Sequence, residues 1–112
     1  MQRGEVYQVR PDPTVGVEQQ KTRPCVLVSS NAVNDNSGLV AVCPITEGVK
    51  LSATIFHIPV ARGEGGTTKD CVVLCNQVKA VDKVRLMERM GNLSPGTMST
   101  IDAGLRALLG LY

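Results

Sequence analysis

The chain has 112 residues and a formal charge of +2, with twelve Lys and Arg against ten Asp and Glu. That length closes one modest core and leaves no room for two, so a single domain over residues 1–112 is expected, and so weak a basic balance is little argument for nucleic acid. No apolar run approaches the roughly 20 residues that span a bilayer, and the opening residues lack a signal-peptide stretch, which together predict a cytoplasmic protein without a membrane partner.

Taken in order, the first strand-like run is 5–9. Residues 10–23 follow as a polar, glycine-bearing connection that is long for a small domain, and such length points to a functional lid. It ends at Arg23-Pro24. A proline biases the residue before it toward extended geometry, so Arg23 is expected at the mouth of the next run, 25–29, with its guanidinium free to meet a phosphate. A third run, 39–45, contains Pro44 and is followed by Thr46, whose hydroxyl is placed to face a ligand. Arg23, Thr46 and Glu18 on the adjoining loop form a candidate phosphate-handling cluster.

Further runs at 54–60 and 71–74 are separated by Arg62-Gly63-Glu64-Gly65-Gly66, read as a flexible turn. Valine and isoleucine dominate these segments, as a pleated, half-buried surface favours, and their regular recurrence predicts a small β-barrel. Lys79, Lys83, Arg85 and Arg89 read as a solvated basic face, and 86–93 is ambiguous between strand and helix. From Ser94 the period changes: Ser94 suits an N-cap with Pro95 at the first helical position. Met98, Ile101, Leu105 and Leu108 then form one apolar stripe, Gly110 terminates the helix, and Gly104 implies a close neighbour. The sequon Asn92-Leu93-Ser94 reads as this helix start.

Cys25, Cys43, Cys71 and Cys75 lack metal-knuckle spacing and read as small buried hydrophobes in a reducing compartment. On one strand Cys71 and Cys75 would stand about 13 Å apart, beyond the roughly 7 Å limit for a disulfide. A cross-strand pair of Cys25 with Cys43 stays geometrically open. The lone His57 falls inside a strand and reads as structural or surface, and Phe56 as core.

The order 12–19, 21–29, Pro44-Ile45-Thr46 and 76–86, opened by Arg3-Gly4-Glu5-Val6-Tyr7, resembles the MazF/PemK toxins across nearly the whole chain. Two positions depart from the pattern: Asn76 stands where an acidic residue is common, and no tryptophan accompanies Tyr7. The resemblance implies an SH3-like barrel with a C-terminal helix, forming a homodimer with RNA along the dimer groove. It also implies a cognate antitoxin that threads a disordered, acidic segment over the toxin and competes with RNA.

By the same resemblance, the activity is ribosome-independent cleavage of single-stranded RNA without a metal or cofactor, and catalytic roles fall on Arg23 and Thr46. Such cleavage needs a base for the 2′-hydroxyl, an acid for the leaving 5′-oxygen and stabilisation of the phosphorane. A guanidinium binds phosphate in a fork, so Arg23 is a stabiliser first, and Thr46 donates to a non-bridging oxygen. Glu18 either accepts the 2′-proton or pairs with Arg23 or Lys21 in the empty site. Gln19, Lys21, Ser29, Asn31, Asn76 and Gln77 are candidate RNA-binding residues, suited to backbone or base edges, or else to capping turns. A rival reading is a non-hydrolytic, CcdB-like toxin that binds DNA gyrase, and a third is an RNA-binding barrel without activity. The gyrase poison would have no need of the Glu18, Arg23 and Thr46 cluster, and incubation with a long RNA separates the inactive barrel from the nuclease.

Overall fold

The computed structural model describes residues 1–11, 21–47 and 54–111. Glu18 and Gln19, with most of the expected lid, lie outside the described residues. Seven strands are present among the described residues: β1 (Glu5–Val9), β2 (Arg23–Leu27), β3 (Leu39–Glu47), β4 (His57–Val60), β5 (Cys71–Leu74), β6 (Lys79–Asp82) and β7 (Leu86–Asn92). Two helices accompany them, α1 (Asn31–Asn36) and α2 (Pro95–Leu109).

All pairings are antiparallel, in the order β4-β5-β3-β2-β1-β7, with β6 also on β3. β3 is the strand that bends the sheet. One of its edges carries β2, while the other carries first β6 and then β5. Val42 is flanked by Leu27 on one side and Lys79 on the other. The 3-10 turn Cys75–Gln77 between β5 and β6 makes the corner, so the basic segment around Lys79 is partly strand.

The ladder itself stays open between β4 and β7, and backbone packing bridges the gap. The glycine-rich segment expected as a flexible turn is a 3-10 turn, Glu64–Gly66, seated against β7. A Cβ on Gly91 would lie 2.8 Å from the Gly65 carbonyl carbon, so only glycine permits this approach. The buried Thr67 hydroxyl donates to the Glu64 carbonyl at 2.8 Å and fixes the turn from below. The result is barrel-like, as the sequence pattern implies, although no hydrogen-bonded ladder closes it among the described residues.

Strands β1 to β3 are buried on both faces. Val6, Val26, Cys43, Ile45 and Val73 belong to one apolar cluster, and Tyr7, Val9, Cys25, Leu27, Val40 and Val42 to another. Side chains alternate across a strand, and Cys25 stands opposite Pro44 while Cys43 stands opposite Val26. The two thiols therefore point to opposite faces and cannot pair. Helix α2 covers the first cluster with Met98, Ile101 and Leu105.

The helix begins as its sequence requires: Ser94 Oγ accepts from the Thr97 N–H at 3.2 Å, and Pro95 occupies the first turn. Gly110 ends it in the left-handed conformation at φ 70°. The ambiguous segment 86–93 is strand β7 as far as Asn92. Several bounds shift: the second run spans Arg23–Leu27 and not 25–29, the third extends to Glu47 and so includes Thr46, the fourth begins only at His57, and Cys75 has left the β5 strand for the 3-10 turn. Helix α1 carries no apolar stripe that sequence periodicity would reveal. Its start is set by Ser30, whose hydroxyl accepts from the Val33 N–H, and by buried Asn34, whose Nδ2 donates to the Ser29 carbonyl at 3.0 Å.

Polar pins hold the ends together. Arg3 donates to the Val28 carbonyl and pairs with Asp102 of α2. Glu5 accepts from the Gln2 N–H and the Tyr7 hydroxyl, and pairs with Arg89 of β7 at 2.6 Å. Burial pushes the Glu5 carboxyl upward, but these donors outweigh it and the net shift is downward.

Two outcomes follow for stability. A Cβ on Gly104 would stand 2.8 Å from the Ile55 carbonyl oxygen, so Gly104→Val should cost about 1–3 kcal/mol through overpacking, measurable by urea unfolding. Because Glu5 ionises more readily folded than unfolded, its contribution is present above the ordinary carboxylate range and is lost as pH falls through its lower folded-state value. Glu5→Gln should therefore lower the midpoint of thermal unfolding at neutral pH, and the gap from the parent should narrow as the solution is acidified.

Candidate active site

The pairing of β2 with β3 builds the site. Cys25 lies opposite Pro44, Val26 opposite Cys43 and Leu27 opposite Val42. Carrying this register two residues further sets Arg23 opposite Thr46. Arg23 is also opposite Val9 of β1, so the arginine sits at the end of a central strand. The Val28 N–H donates to the Ala41 carbonyl, so alternation turns the backbone of Pro24 toward β3, where it has no N–H to offer. The pairing of the two strands ends at Cys25 and Pro44, just short of the two polar side chains.

Both side chains line one cleft of about 580 Å³, within the range usual for ligand sites. Arg23 is exposed and Thr46 half-buried. Lys21 and Thr22 border the cleft from the segment before β2, and Gln8 from β1. Thr22 Oγ1 donates to Gln8 Oε1 at 2.9 Å, and Gln8 Nε2 reaches the Met90 sulfur at 3.1 Å. Glu47, next to Thr46, also lines the cleft and pairs loosely with Lys69 at 3.8 Å. A guanidinium, an ammonium and a hydroxyl around one opening can hold a phosphate diester by charge and directed hydrogen bonds.

The other expected site residues are dispersed. Ser29 Oγ bonds Asn34 Oδ1 at 2.5 Å and accepts from the Ala41 N–H at 3.0 Å, which ties it to α1 and β3. Asn31 Oδ1 accepts from the Arg3 N–H at 2.7 Å. Asn76 and Gln77 are exposed on the 3-10 corner turn. None of these four borders the cleft. His57 is half-buried in β4, away from the cleft lining, and its Nδ1 is enclosed without a hydrogen-bond partner among the described residues.

Residues 2–109 match the family described as PemK-like, MazF-like toxin of type II toxin-antitoxin system. The chain belongs to that family. It is 33% identical over 111 residues to the Endoribonuclease MazF of Staphylococcus epidermidis, an alignment covering 99% of this chain and 92% of that one. Its fold matches the crystal structure of MazE-MazF (Form-II) from Deinococcus radiodurans with a TM-score of 0.82 at 25% identity, over 100% of this chain and 97% of that chain. An endoribonuclease in complex with its cognate antitoxin from Mycobacterial species shares the fold at a TM-score of 0.79 and 24% identity, over 100% and 97% of the two chains. This is a MazF-like endoribonuclease toxin, and a CcdB-like gyrase poison is not the favoured reading.

Several cleft residues of this MazF-like toxin escape sequence reasoning. Gln8 stands between Tyr7 and Val9 in a largely apolar run, which is a faint signal. Glu47 had a stronger one, since it directly follows Thr46. Thr67 and Thr68 reach the cleft only because the turn after β4 folds back on β7, and no local pattern announces that. Cys71 also lines the cleft, where burial and then the Glu47 and Asp70 carboxylates push its thiol upward. Burial likewise pushes Cys25 up to about 11. Neither thiol is poised as a nucleophile at neutral pH.

Proposed function

We propose that this toxin cuts single-stranded RNA, mRNA above all, sequence-selectively and without a metal, using the cleft at the β2 and β3 strand ends. The observation that carries the reading is the convergence of Arg23 and Thr46 on that one cleft. The 2′-oxygen forms a new bond to the adjacent phosphorus while the bond from phosphorus to the 5′-oxygen breaks. One proton leaves the 2′-hydroxyl for a base and another reaches the 5′-oxygen, leaving a 2′,3′-cyclic phosphate and a 5′-hydroxyl. Arg23 takes the non-bridging oxygens of the phosphorane in its fork, and Thr46 donates to one of them.

Glu18, five residues before Arg23 in the sequence, is the proposed proton acceptor; the alternative role for it is to pair with Arg23 or Lys21 in the empty site. Lys21 at the cleft rim holds the neighbouring backbone. Exposed Asn76 and Gln77, with Gln19, offer amides for reading unstacked bases. The hydrogen bonds of Ser29 and Asn31 within the fold leave them a smaller share of that reading. Two copies of the chain assemble as a homodimer in the cytoplasm, with RNA along the groove between them. A cognate antitoxin covers the cleft with an acidic, disordered segment that competes with RNA.

Arg23→Ala and Thr46→Val should each lower kcat by about 10²–10³, the usual loss for one transition-state donor, with the thermal melt unchanged. A substrate carrying 2′-deoxy at the cut position should stay intact, and chelator should leave cutting of the all-ribose substrate untouched. Gel analysis of a long RNA reads all of these. Cutting of the deoxy substrate would rule out the 2′-hydroxyl as nucleophile.

A further inference from the structure

A second cavity of about 540 Å³ adjoins the cleft and shares Thr68 with it. It is bordered by Ala61, Arg62, Lys69 and Asp70, all on the connection between β4 and β5. On the reading that the substrate is RNA, we infer that this cavity is a phosphate subsite: Arg62 and Lys69 hold the RNA backbone beyond the scissile linkage, and the chain passes over Thr68.

Three observations carry the inference. The connection is a fixed scaffold. Gly63 takes φ 96°, the Gly63 N–H donates to the Thr67 carbonyl at 2.9 Å, and Thr67 is itself buried. The cations are therefore presented by a set backbone, which reduces the ordering cost of binding.

The charges are also available. Asp70 Oδ1 is occupied by the Arg62 backbone N–H at 2.9 Å, so that carboxylate serves the turn, and the Arg62 guanidinium makes no ion pair among the described residues. Among the described residues Lys69 is paired only with Glu47, at 3.8 Å and with side chains 70% and 55% exposed. Exposed pairs of this kind hold weakly, so a phosphate can exchange for Glu47 on the ammonium.

Finally, the cavities are contiguous. Glu47 borders the first cavity and Lys69 the second, so their ion pair lies across the boundary that an extended backbone must cross. A charged rim of this kind follows the backbone and is indifferent to base identity.

The test uses a fluorescent RNA oligonucleotide with 2′-deoxy at the cut position, bound to the full chain over a series of salt concentrations. The double variant Arg62→Ala with Lys69→Ala should reduce the slope of log affinity against log salt by about 0.7 for each phosphate that is no longer neutralised. Each single variant should weaken binding by up to about fivefold, equally for oligonucleotides of different sequence, and with cleavable RNA the loss should fall on KM rather than kcat. Both side chains are exposed, and an unchanged melt confirms that the fold is intact. An unchanged salt slope in a double variant of a parent that binds and cuts RNA overturns the subsite alone. A loss that differs between sequences overturns backbone recognition in favour of base reading. A parent that neither binds nor cuts RNA overturns the ribonuclease reading, and the subsite with it.

Discussion

The register of β2 on β3 is the constraint on which the rest of this molecule depends. Cys25 against Pro44 and Leu27 against Val42 bring the start of one strand level with the end of the other, and it is at those ends that Arg23 and Thr46 stand. A slip of one residue would turn every side chain of β2 to the other face. It would drive Val26, which has no accessible surface here, out of the cluster under α2 and into the opposite one, and draw Arg23 away from Thr46. Core burial therefore enforces the geometry of the cleft: the apolar clusters on both faces of these strands make the alternative registers costly.

Pro24 gives this arrangement its opening. It withholds an N–H from the ladder with β3 beyond Cys25 and Pro44, where the pairing ends, and the polar side chains stand at that end. Next to it, β3 exchanges β6 for β5 on its far edge, so Thr46 and Glu47 lie on the part of β3 that has turned with β5. The connection after β4 then folds onto β7 through Gly65, Gly66 and Gly91, and in doing so brings Thr67 and Thr68 to the cleft wall. The packing that stands in for a closed ladder thus also forms the site.

Charge is used sparingly and locally. The net excess is only two cations, yet Lys21 and Arg23 border one cavity and Arg62 and Lys69 the next. Elsewhere cations serve the fold, as Arg3 does on Asp102 and Arg89 on Glu5. Three thiols are pushed toward the neutral form, Cys25 and Cys71 by burial and Cys43 by its hydrogen bond to Cys75 and by burial, and the same bond draws Cys75 downward.

Local chemistry made much of this readable from the amino acids alone. Valine-rich runs marked five strands, and Ser94, Pro95 and Gly110 bounded α2 because capping and left-handed glycine are properties of single residues. Gly104 announced a close neighbour, found in Ile55. The Arg-Pro and Pro-Ile-Thr segments pointed to the residues at the two strand ends. Other features were silent for equally physical reasons: α1 rests on the buried amide of Asn34, and β6 on pairing with a strand about forty residues away, neither of which leaves a periodic trace. Sequence determined which side chains could grip a phosphate and which segments could form strands. Only the tertiary structure decided that Arg23 and Thr46 share a cleft, that Glu47 and the 61–70 connection border it, and that Cys25 and Cys43 face apart, because strand register and the closing turn are set by packing between segments distant in the chain.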